Sequence, residues 1–118
     1  MAVSRTTKTS QRFQKDTITF TADGDQILTY PQLPKSLTIT SEGTDGGGTL
    51  SWLVSNDGAT FNAFGMAAAA TPATATVTSA TAAGNWVSLN GAAGWESLKL
   101  SLASSTSPTL VVTVFARF

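Results

Sequence analysis

Residues 49–61, TLSWLVSNDGATF, hold an alternating strand, a turn signal and an aromatic anchor in one short run. Leu50, Trp52 and Val54 recur at every second position, separated by Ser51 and Leu53, so one face is apolar and the other is small or mixed. That period belongs to a half-buried strand. Asn56-Asp57-Gly58 follows at once, and these residues accept positive φ cheaply, which predicts a tight hairpin turn. The chain then returns through Ala59, Thr60 and Phe61. Phe61 is expected on the core side near Val54 or Trp52, as a cross-strand aromatic pair.

Outward from this stretch the same alternation recurs. Residues 16–22, DTITFTA, place Ile18 and Phe20 on one face, and Asp23-Gly24-Asp25 closes them into a short second strand over residues 26–30. The two read as a hairpin, ended by Pro31 and Pro34, which cannot donate ladder hydrogen bonds. Leu37 and Ile39 share a face ahead of a loop with three consecutive glycines, Gly46, Gly47 and Gly48. Residues 62–72 contain Phe64 and an alanine run held between Gly65 and Pro72 to little more than about two turns, so a loop and a short helix are equally open. Alternating Ala and Thr around Val77 suggest an edge strand, and residues 86–89 another. Leu98, Leu100 and Leu102 form a clean apolar face, and the final run TLVVTVFARF is apolar on both faces. Short, regularly spaced strands with Gly, Pro, Asn and Asp between them predict an all-β fold. We expect an antiparallel β-sandwich, jelly-roll or Ig-like, of about eight strands, with a barrel as the alternative. SLTITSEG…TLSW and SLKLSLAS…TLVV repeat one pattern at similar spacing, as two equivalent hairpins would, or as unrelated low-complexity hairpins do by coincidence.

The 118-residue chain fits one domain. It has no cysteine and no histidine, which excludes disulfides, thiolate chemistry, the commonest general base and the commonest transition-metal ligand. Seven bases balance seven acids, but Arg5, Lys8, Arg12 and Lys15 all precede the first acid, Asp16. Residues 1–15 lack clean alternation and read as a basic extended arm whose ordering needs a partner, with Phe13 as its aromatic; residues 16–118 form the β-sandwich domain. MAVSRTTKTSQRFQ has no apolar run resembling a signal peptide, and nowhere are there about 18 consecutive apolar residues. Synthesis in the cytoplasm without a signal peptide, and no membrane partner, are expected.

Few constellations carry chemistry. Asp23 with Asp25, and Glu42 with Asp45, supply too few oxygens for a calcium loop and suit turns instead. The many Ser and Thr residues have no histidine and no GxSxG elbow to activate them. GTDGGGT lacks the Lys-Ser/Thr ending of a phosphate-binding loop. No catalytic residue, metal or cofactor is assigned, and no enzyme activity is expected. Trp86 and Trp95, beside Gly84 and Gly94, are candidates for sugar stacking. Val111 and Phe115 face away from Leu110, Val112 and Val114 and are a candidate oligomer interface, with a trimer favoured. Arg5, Lys8, Arg12, Phe13 and Lys15 are the candidate partner-binding arm. Nucleic acid is not the expected partner, because four cations on a chain with an acidic body hold phosphate weakly.

A basic Ser/Thr-rich start, an Ala/Thr/Gly-rich β-sandwich, the lack of Cys and His, and an apolar closing strand together resemble small bacteriophage virion proteins, of the capsid decoration or cement and head or tail accessory types. WLVSNDGATF is similar to a W-x-x-S-x-D-G-x-T-[FW] hairpin of extracellular and phage β-domains; it lacks the longer spacing of a sialidase Asp-box. The resemblance implies a structural protein of the virion that reinforces capsomer contacts, with the major capsid protein or other virion proteins as partners. A tail, neck or fibre component is the alternative within that class, and a carbohydrate-binding β-sandwich module is the alternative outside it.

Overall fold

The computed structural model describes residues 3–10, 12–69, 77–88 and 95–118. Their strands are β1 (Val3–Thr9), β2 (Phe13–Phe20), β3 (Gly24–Thr29), β4 (Ser36–Thr44), β5 (Thr49–Ser55), β6 (Asn62–Ala63), β7 (Ala67–Ala68), β8 (Ser79–Ala80), β9 (Asn85–Val87), β10 (Ser97–Ala103) and β11 (Thr109–Arg117). They form two antiparallel sheets, ordered β1-β2-β11-β4-β9-β7 and β3-β10-β5-β6, with β8 also on β5. Without β1 and the two-residue strands β7 and β8, the order β2-β11-β4-β9 over β3-β10-β5-β6 is that of a jelly roll, which decides between the two expected sandwich types. Consecutive long strands mostly change sheet.

The alternation of each strand builds the core. Ile18 and Phe20, Leu37 and Ile39, and Leu110, Val112 and Val114 face inward from the six-stranded sheet. Leu28, Leu50, Trp52, Val54, Leu98, Leu100 and Leu102 face them from the other. Trp52 is fully buried, and its indole N–H donates to the Val77 carbonyl at 3.2 Å. Its aromatic partner is Trp86, at 5.2 Å between ring centroids, and not Phe61. Phe61 lies outside the core beneath the Lys99 ammonium, because the connection after Ser55 is a six-residue loop and not a tight turn. That loop sets Asn62 opposite Val54 and Ala63 opposite Leu53.

Three expected hairpins are corners. β2 and β3 lie in different sheets, and so do β4 and β5, and β10 and β11. The repeated strand-loop-strand pattern is still spatially paired: β4 lies against β11, β5 lies against β10, and the two corner loops touch. Thr106 donates its N–H to the Gly46 carbonyl at 2.9 Å. Gly46 has φ +63°, and a Cβ there would sit 2.4 Å from the Thr106 carbonyl oxygen, so both backbone shape and space require glycine.

The N-terminal segment is also not a free arm. β1 pairs with β2 along its whole length, from Val3 opposite Phe20 to Thr9 opposite Gln14. The expected boundary at residue 15 falls inside β2. The candidate edge strand around Val77 lies partly outside the described residues; Val77 itself bridges Met66. Leu89 lies outside them too.

Candidate interaction surface

The outer face of the six-stranded sheet is set by register. One row across it reads Lys8, Lys15, Phe115, Thr38; the next reads Thr6, Thr17, Thr113, Thr40; a third reads Ser4, Thr19, Val111, Glu42. Phe13 lies opposite Arg117, one step beyond the first row. The Phe13 and Phe115 rings stack at 5.1 Å and 11°, and the Arg117 guanidinium lies 5.3 Å from the Phe115 centroid. Arg12, Phe13, Phe115, Arg117 and Phe118 line a shallow hollow of about 430 Å³. A second hollow of about 210 Å³ lies among Thr6, Thr7, Lys8, Lys15 and Thr17. Lys35 begins beside this end, donating its backbone N–H to the Arg117 carbonyl at 2.6 Å.

The surface thus joins three groups of residues that the sequence kept separate. Four of the five arm residues, Lys8, Arg12, Phe13 and Lys15, meet Phe115 and Arg117 from the far end of the chain. Val111 and Phe115 are half-buried and not an open apolar patch, since Phe13 covers Phe115 and threonines separate it from Val111. Arg117 and Lys35 were not picked out by sequence reasoning, and only strand register brings them to the four early bases.

Arg5 is the exception among the arm residues. Its position opposite Ile18 turns it to the inner side, where its guanidinium donates to the Ile27 carbonyl at 3.1 Å and approaches the Asp16 carboxylate at 3.9 Å. Asp16 is wholly buried. It accepts hydrogen bonds from the Thr7 hydroxyl and, at 2.9 Å, from the Gln14 amide. These contacts fasten β1 to β2, and Arg5 bridges to the edge of the second sheet. The buried Tyr30 hydroxyl has its pKa raised, first by burial and then by the negative charge of Asp16.

The sugar-stacking pair is not brought together. Trp86 lies in the core against Trp52, with 8% of its surface exposed. Trp95 is partly buried, edge-to-face with Phe64 at 6.4 Å, above a groove with Asn56, Asp57, Thr60 and Asn62. Asp23 accepts from the Ser105 hydroxyl and the Ser105 and Ser104 N–H groups, which lower its pKa, so it ties two corners. No group of three or more metal-ligating residues occurs among the described residues. Nor is any helix among them long and apolar enough to cross a membrane.

Asp57 fixes the turn found in the sequence. The Thr60 and Ala59 N–H groups and the Ser55 hydroxyl donate to it and lower its pKa from 3.8 to about 2. Because the folded value is depressed, this contribution is present above the unfolded pKa and is lost as pH falls through about 2. Protection of the Ala59 and Thr60 amides, relative to their intrinsic exchange rate at each pH, should therefore fall between pH 4 and pH 2, and be low at every pH in Asp57→Ala.

No protein-family model matches the chain, and no curated protein matches it in sequence. Solved structures share its fold. SPBc2 prophage-derived protein YomS superposes with a TM-score of 0.67 at 11% identity, over 98% of this chain and 93% of that one. PBSX exported protein XepA gives 0.67 at 17% identity, over 94% of this chain but only 40% of that longer one. The Schizosaccharomyces pombe Cnp3 cupin domain gives 0.51 at 7% identity, over 100% of this chain and 66% of that one.

Proposed function

We propose that the chain is a non-enzymatic structural protein of a phage particle, held on the capsid surface as a decoration or cement protein through the basic and aromatic outer face of its six-stranded sheet. The observation that carries this reading is the direct pairing of Lys8 with Lys15, flanked by Arg12 and Arg117. Like charges opposite one another on adjacent strands destabilise an isolated sheet, and an anionic partner reverses that penalty. The stacked Phe13 and Phe115 add apolar area beside the charges, and the threonine row offers a flat surface of small side chains for close packing. A fold shared with an SPBc2 prophage-derived protein agrees with the reading. A tail, neck or fibre position uses the same surface.

Lys8→Thr/Lys15→Thr removes the like-charge pair and leaves strand-compatible side chains, so the domain should fold with unchanged or slightly raised stability. Its occupancy on assembled particles should fall at least tenfold at low salt, and wild-type attachment should loosen as salt screens the charges. Native occupancy of the double variant would overturn the proposal. Deletion of residues 1–9 is a harsher test of the same face, whereas deletion through residue 15 also cuts into β2.

A further inference from the structure

The charges are sorted along the strand axis as well as between faces. At the end where Phe13, Arg117 and Ser36 align lie Lys8, Arg12, Lys15, Lys35 and Arg117, all exposed. At the opposite end, where Phe20, Leu110 and Gly43 align and the second sheet begins at Gly24 opposite Leu102, lie the exposed acids Asp23, Asp25 and Glu42. None of the seven bases lies at that acidic end: Arg5 and Lys99 occupy mid-strand positions. Asp57 and Glu96 share the basic end but belong to the other sheet, beyond the Tyr30 and Phe118 rings.

We infer that the acidic end of a second copy of this chain docks on the basic face, so that copies associate head to tail. The inference rests on reading that face as a docking surface, and it names the partner. Three exposed carboxylates meet a group of five cations, and the Phe13–Phe115 stack supplies the apolar centre that surface ion pairs alone lack. The two patches differ, so the contact is heterologous: it leaves a free basic end and a free acidic end on every dimer, and growth stops only if the rotation closes a ring.

Sedimentation velocity of the full chain across about 10 to 500 μM, at about 20 mM and 300 mM sodium chloride, tests this. At low salt the average mass should climb above 12.2 kDa with concentration and pass the dimer, and at high salt it should fall back. Lys8→Thr/Lys15→Thr and Asp25→Asn/Glu42→Gln should each remain monomeric, since each lacks one end. Mixed in equal amounts they should pair and stop at the dimer, because the intact acidic end of one meets the intact basic end of the other. A wild-type protein that stays monomeric at low salt, self-association by either variant alone, or growth of the mixture past the dimer would overturn the inference. If the wild type is monomeric while Lys8→Thr/Lys15→Thr still loses particle occupancy, the docking face stands and the second copy is not its occupant. Native occupancy of that variant would instead remove the docking face itself.

Discussion

Trp52→Ala should leave the chain insoluble or without fixed packing. The side chain is fully buried between the sheets, lies 5.2 Å from the Trp86 ring and donates to the Val77 carbonyl. Removing such a ring costs about 3–5 kcal/mol through lost burial and the cavity left behind. A domain of this size has only about 5–15 kcal/mol in all. Trp52→Phe keeps an aromatic ring beside Trp86 and leaves the Val77 carbonyl its other donor, the Met66 N–H, so the lost indole hydrogen bond should cost only about 0.5–1.5 kcal/mol. Denaturant unfolding of the two variants checks the order. A Trp52→Ala protein with a near-native transition midpoint would show that the packing of the two indoles is not what holds the sheets together.

Asp16→Ala should release β1 ahead of the rest of the sandwich. The carboxylate serves the Thr7 hydroxyl, the Gln14 amide and the Arg5 guanidinium, and its loss leaves a buried amide without an acceptor. Unpaired buried polar groups cost about 1–3 kcal/mol each. Arg5 is partly exposed and recovers solvation, so about 2–4 kcal/mol in total is expected. Hydrogen exchange gives the sharper readout: amides of β1 should lose protection while those of β10, paired on both sides, keep theirs. Uniform loss across both sheets would mean that the buried network supports the whole fold and not this edge.

This second case shows where sequence reasoning stopped. Residues 1–15 carry Thr, Ser and bases without an apolar alternation, so nothing in them signals a strand. They form one because the inner side of β1 faces Asp16 and Gln14, a polar stretch at the margin of the core, where Arg5 and Thr7 are suitable partners. A strand whose buried contacts are polar has no hydrophobic period to read. The corner between β2 and β3 was missed for a related reason. Asp23-Gly24-Asp25 turns a chain equally well within a sheet or between sheets, and what selects the corner is the Asp23 carboxylate capping Ser104 and Ser105, more than eighty residues away.

By itself the sequence determined the all-β class, the inward faces of β2, β4, β5, β10 and β11, the burial of Trp52 and a chain reversal at Asp57, though not its six-residue loop. Each of these follows from a period of two or from the φ preferences of neighbouring residues, which are local properties. Only the tertiary structure decided the jelly-roll order, the pairing of Trp52 with Trp86, the inward turn of Arg5 and the gathering of Lys8, Lys15, Phe13, Phe115 and Arg117 on one face. These depend on which strands become neighbours and in what register. A one-residue slip would reverse every side chain, and that choice rests on the summed packing of both sheets.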